Sequence, residues 1–175
     1  MKHLIITATV TLAATGALGQ SAAEKTGVNS LVGIPPKTED FVAEAAMSDM
    51  FEIESSKLAL ERGGEPTKAF AQQMIADHRK TSTELKAMVD SGKVKAALPT
   101  AMNPDQQEMI EDLKALKGAD FDEQYHDYQD EVHEEAADIF TRYGSEGDNA
   151  ELKAWAAKTA PALEQHLQMA KDLNK

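Results

Sequence analysis

A few imidazole and carboxylate groups are the part of this sequence whose chemistry goes beyond packing. His78 falls on an apolar helical stripe with Ala71, Met74, Leu85 and Met88, at spacings of three to four residues or their multiples. His166 falls on another, with Leu152, Ala156, Thr159, Leu163, Ala170 and Leu173. Glu52 shares a line with Phe41, Ala45, Ser48, Ser55 and Ala59, and His133 stands beside Val132, one turn from Gln129. A buried imidazole needs a partner at each ring nitrogen, so an inward histidine is either a hydrogen-bonded core residue or a metal ligand. Glu52, His78, His133 and His166 are therefore the candidate ligands of a single metal ion, for which imidazole and carboxylate suit zinc, iron, nickel or copper. The competing reading is a non-catalytic structural or stress-related bundle whose polar core holds no metal, in which these histidines bond Tyr125, Tyr128 or one another.

Height along the helices tests the grouping. Glu52 lies about ten residues before the Gly63-Gly64 turn and His78 about eleven after the next helix begins, so a rise of 1.5 Å per residue puts them nearly level. His133 lies about ten residues before a second turn at Gly144–Asp148 and joins that layer. His166 follows the same turn by about 17 residues, some 10 Å deeper. Spacing alone pairs it with His126 or Glu123.

Other chemistries fit less well. Carboxylate-bridged di-iron bundles use two Glu-x-x-His motifs plus two further Glu. This chain has only Glu123-x-x-His126; Ile75 and Leu163 stand where a Glu would precede His78 and His166. Met74 and Met169 flank two of the histidines, a pairing that suits copper but equally the packing of a core. Asp130-Glu131 with Glu134-Glu135 reads as a solvated acidic face, since it lacks the spacing of a calcium loop. Neither a nucleophile elbow, nor a phosphate loop, nor a dinucleotide glycine pattern occurs, so no catalytic residue is assigned and enzymatic activity stays open.

The elements that must carry these residues are helical. Ala, Glu, Lys, Leu, Gln and Met dominate a chain with 10 Gly and 6 Pro. One helix is expected from an N-cap at Thr38 to about Arg62, a second from Pro66 to near Ser91-Gly92, and a short one from Asn103-Pro104 to Leu116. A third long helix spans about Asp120–Tyr143, and a fourth runs from Asn149 to the C-terminus with a bend at Pro161. Core stripes on the third long helix take Phe121, Tyr125, Tyr128, Val132, Ile139 and Tyr143. Two short turns and one connector of about 28 residues give an all-α, ferritin-like four-helix bundle: two antiparallel hairpins joined by a long crossover containing a short helix. Lys68-Ala69-Phe70-Ala71 and Lys153-Ala154-Trp155-Ala156 hint at duplication of one hairpin.

Before the bundle comes a leader. Met1-Lys2-His3 precedes the apolar run Leu4–Leu18, and Ala17-Leu18-Gly19 is a small-x-small cleavage site, with Ser21-Ala22-Ala23 as a second. The run is short for a membrane span. The expected organisation is a signal peptide at 1–19 (or to 23), an arm at 20–37 and the bundle domain at 38–175. The mature chain is then secreted, periplasmic in a cell with two membranes, soluble and without a spanning segment. The full sequence's formal net charge of −12, slightly more negative once a leader containing Lys2 is removed, gives no footprint for nucleic acid or anionic lipid. A chain without cysteine has neither disulfides nor thiolate metal ligands. Partners and any self-association are left open.

Taken in order, Glu52-Ile53, Leu58-Ala59, Lys68-Ala69-Phe70-Ala71, Met74-Ile75, Asp77-His78, Gly118, Phe121-Asp122, Tyr125, His133, Leu152-Lys153, Pro161 and His166-Leu167 resemble the bacterial family of domain of unknown function 4142. Its members are exported ferritin-like proteins often labelled outer-membrane proteins. The resemblance implies the bundle, singles out His78, His133 and His166, and implies no activity. If the leader is cleaved as read, N-terminal sequencing of protein released by osmotic shock will start near Gln20 or Glu24. Met1 retained in a membrane fraction would refute cleavage.

Overall fold

Glycine and proline punctuation delivers the helices. The computed structural model describes residues 33–175, so the expected leader, its cleavage sites and residues 20–32 of the arm lie outside the described residues. Helix α1 is Thr38–Arg62, α2 Glu65–Asp90, α3 Pro104–Ala115, α4 Ala119–Glu146 and α5 Ala150–Leu173. No strand occurs among the described residues. Pro66 sits in the first turn of α2, where its missing N–H costs nothing. Asn103 opens α3 with a reciprocal cap, its side chain accepting from the Gln106 N–H while the Gln106 side chain accepts from the Asn103 N–H. Asn149 caps α5 by accepting from Leu152 N–H at 3.0 Å. α5 continues through Pro161 as one helix.

Two local expectations give way to tertiary contacts. Thr38 does not cap α1; its hydroxyl turns to Tyr143 and Asp148, both 2.5 Å away, and ties the start of α1 to the end of α4. Gly144 does not end α4, which runs on to Glu146. A Cβ at Gly144 would lie 2.8 Å from Ala157 Cα and N, so this glycine serves a close approach of α4 to α5 rather than a turn.

Cross-helix bonds fix the directions. Asp49 of α1 bonds His78, Thr81 and Ser82 of α2. The two helices are joined through Gly63-Gly64 and run antiparallel. Ser56 and Thr38 of α1 meet Tyr125 and Tyr143 of α4, so that pair is antiparallel as well. Asp77 and Glu84 of α2 meet His166 and Trp155 of α5, again in opposite order. α2 and α4 consequently point the same way, with the connector and α3 carrying the chain back between them. The Lys-Ala-Phe-Ala and Lys-Ala-Trp-Ala quartets each begin at the fourth residue of their helix.

The core is split in two. One apolar cluster gathers Phe41, Val42, Leu85, Phe140, Tyr143, Leu152, Trp155 and Leu163. The other gathers Phe51, Leu58, Phe70, Met74, Leu113, Phe121, Tyr125 and Ala170. Near the boundary of the two clusters every long helix carries buried polar residues: Asp49 and Glu52, His78, Gln129 and His133, and His166. On α4 this replaces the expected Tyr128 and Val132, which are only partly buried, because the helix faces α1 and α5 through Phe121, Tyr125, Gln129 and His133.

Replacing Gly144 by Ala must push α4 and α5 apart at backbone level. The expected cost is about 1–3 kcal/mol, seen as a drop of several degrees in Tm; an unchanged Tm would show that the close approach carries no constraint.

Candidate metal centre

The three histidines come from α2, α4 and α5 and meet in the polar layer. Ring centroids are 5.6 Å apart for His78 and His133, 5.7 Å for His78 and His166, and 5.4 Å for His133 and His166. One potential ligand nitrogen from each lies within 4.8 Å of the others. His166, which spacing alone sent deeper, belongs to the group. α4 extends to Glu146, so His133 stands 13 residues from its end, against 16 from the start of α5 to His166. That leaves about 4–5 Å of offset, and side chains leaning toward their N-termini close it in antiparallel helices. His126 goes elsewhere, its Nε2 lying 2.8 Å from Thr67 Oγ1, and Glu123 is exposed.

Each imidazole is held from behind. His78 Nδ1 donates to Asp49 Oδ1 at 2.8 Å, His133 Nδ1 donates to the Gln129 carbonyl at 2.8 Å, and His166 Nε2 donates to Asp77 Oδ2 at 3.0 Å. Carboxylate and carbonyl oxygens only accept, so each of these nitrogens carries the hydrogen and the lone pair is on the other. Those other nitrogens, His78 Nε2, His133 Nε2 and His166 Nδ1, are buried and have no hydrogen-bond partner among the described residues.

Glu52 adjoins this cluster from α1. Its carboxylate is 1 % exposed, and Oε1 lies 3.8 Å from His133 Nδ1, the nitrogen already bonded to Gln129. Neither oxygen has a hydrogen bond of normal geometry, and the Gln129 amide is directed to Ser55 Oγ at 3.5 Å. Glu52 thus sits beside the three histidines rather than within their 4.8 Å group. The tyrosines are engaged elsewhere: Tyr125 with Ser56 at 2.8 Å and Tyr128 with Asp112 at 3.1 Å. Among the described residues neither tyrosine makes a hydrogen bond to one of the three histidines.

Burial and mutual charge set the ionisation. Burial raises the Glu52 carboxyl from 4.5 to about 7, with His78 and Gln129 pulling down and Asp49 pushing up. Burial also opposes charge on His78, but the Asp49 bond and the charges of Glu52, Asp49 and Asp77 outweigh it and raise its pKa. His133 is held well below the ordinary value, by burial first and then by His78, with His166 adding to it. His166 is lowered by burial and His78, with Asp77 opposing.

Asp49 is the site residue that spacing does not single out. The periodic line through helix α1 passes Ser48, whereas the structure turns Asp49 inward. The available signal is a charge four residues after Ala45 and three before Glu52. Of the acidic neighbours of His78 and Phe121, Asp77 holds His166 and Asp122 accepts from the Gly64 N–H instead.

A raised carboxyl is a stability cost that grows with pH. The unfolded chain releases the Glu52 proton near 4.5 and the folded one near 7, so stability falls as pH rises between them. In metal-free protein, Glu52→Gln is expected to gain about 2–4 kcal/mol over the native chain at pH 8 and little at pH 5, by urea unfolding. A difference independent of pH would show that Glu52 is not the titrating group.

Compared with known proteins, residues 20–173 match the family model described as Domain of unknown function (DUF4142). No curated protein and no solved structure gives a significant match.

Proposed function

Because the chain belongs to this family of domains of unknown function, its role has to be read from the site, and we propose that it binds one transition-metal ion through His78, His133 and His166, with Glu52 as the fourth ligand. The observation that carries this reading is the meeting of three buried histidines, each with one ring nitrogen that lacks a hydrogen-bond partner, beside a buried carboxylate that lacks one as well. Leaving such groups unpaired costs about 1–3 kcal/mol each, and a cation would satisfy all of them at once. Ligand bonds near 2.0–2.2 Å require donors within about 4 Å of one another, so closure from 4.8 Å asks for less than about 1 Å of movement. Three nitrogens and an oxygen suit zinc, iron, nickel or copper(II). Met74 lies in the apolar cluster below, which favours an ion that does not need sulfur.

The remaining parts of the reading concern setting. Two antiparallel pairs with α2 and α4 codirectional support a ferritin-like four-helix bundle, in which the ion would join all four long helices. The Leu4–Leu18 run and its small-x-small ending support export. Among the described residues no helix is long and apolar enough to cross a membrane.

Titration of chelator-stripped protein with zinc, cobalt, nickel and copper is expected to show one ion per chain. Binding should raise stability by about 2.7 kcal/mol at a free concentration 100 times Kd. His78→Ala should abolish stoichiometric binding and His126→Ala should retain it. Equal stoichiometry in His78→Ala, or no binding by the native chain, would overturn the proposal.

A further inference from the structure

The three histidines are not supported alike. His133 leans on a backbone carbonyl, and His166 leans on Asp77, whose side chain is 45 % exposed. His78 leans on Asp49, whose side chain is 7 % exposed. Asp49 is itself fixed: Oδ1 also accepts from Thr81 at 2.7 Å, and Oδ2 accepts from Ser82 at 2.9 Å. All three donors lie on α2, so one carboxylate of α1 is clamped by a single face of the neighbouring helix.

A buried, fully bonded carboxylate behind an imidazole does two things to the nitrogen on the far side. It fixes the ring so that Nε2 of His78 holds the lone pair, and it makes that lone pair more basic by stabilising the Nδ1–H. Solvent screens the same effect at Asp77, and a neutral carbonyl supplies less of it at Gln129. We propose that Asp49 is the positioning residue that sets the metal affinity of the cluster, making His78 its strongest ligand through Nε2, while Asp77 tunes His166 more weakly. This rests on the metal-binding reading above and extends it to a residue that touches no ion.

The experiment compares the native chain with Asp49→Asn, Asp49→Glu, Asp77→Asn and Ser82→Ala. Cobalt(II) and zinc(II) affinities are measured by competition with a chelator, cobalt(II) visible spectra are recorded, and metal-free Tm is read for every variant. Asp49→Asn keeps the shape and an acceptor oxygen but loses the charge; it should weaken binding about 10–100-fold and shift the cobalt spectrum. Asp77→Asn should weaken it less, and Asp49→Glu should recover part of the loss. Ser82→Ala removes a bond to Asp49 without changing the charge behind His78, so it should lower Tm while leaving affinity within a few-fold. Native affinity and spectrum in Asp49→Asn would overturn the proposal, as would affinity losses that merely follow Tm across all variants. Binding that fails already in the native chain would instead remove the metal reading itself. Loss in His78→Ala with none in Asp49→Asn would leave that reading standing and remove only the role of Asp49.

Discussion

A buried polar layer at mid-height is the constraint around which this molecule is arranged. Between two apolar clusters the helices bring Asp49, Glu52, His78, Gln129, His133 and His166 out of water together. Groups of that kind cost free energy unless partnered, and net stabilities of about 5–15 kcal/mol leave little room for several such costs. The outer edge of the layer is well satisfied, through Asp49, Asp77 and the Gln129 carbonyl. At its centre the three histidines each keep one ring nitrogen without a hydrogen-bond partner, with the Glu52 carboxylate beside them. A cation bound there, as proposed, would turn the costliest part of the core into a cross-link.

The surrounding architecture keeps the layer in register. Each long helix contributes at least one buried polar side chain from its middle, with rows of apolar residues on either side as anchors. At one end, Thr38, Tyr143 and Asp148 tie α1 to the turn between α4 and α5. At the other, Asp122 accepts from the Gly64 N–H and Arg62 donates to the carbonyls of Lys114 and Leu116. These end contacts resist sliding of one helix along another. Sliding by one turn would move a histidine about 5.4 Å out of the layer.

Electrostatics inside the layer is uneven in a useful way. His133 and His166 are held toward the neutral form that a metal needs, chiefly by burial. Glu52 and His78 each shift the other, one toward the acid and one toward the base. Asp49 stands behind His78 and Asp77 behind His166, so the negative charge of the site lies largely outside the ring of imidazoles. For the proposed ion, that placement would supply attraction without filling the position the ion would take.

Much of this was legible from residue order alone. Helical composition, the Gly63-Gly64 break, Pro66, and the Asn103 and Asn149 caps are local signals acting over a few residues, and the helices follow them. Phase along each helix also marked Glu52, His78 and His166 as inward-facing, since a 3.6-residue period assigns faces whatever the partner. Height was less legible: Gly144 looks like a stop, but it belongs to a close contact with Ala157, and the longer α4 that results brings His166 level enough to meet His133. Asp49 was invisible for a related reason. A single charged residue near the core phase carries no local mark of its purpose, which exists only in bonds to His78, Thr81 and Ser82 about 30 residues away. Periodicity determines which face a side chain occupies; only the packing of one helix on another decides which atoms it meets, because that depends on axial offsets of a few ångströms that no local preference encodes.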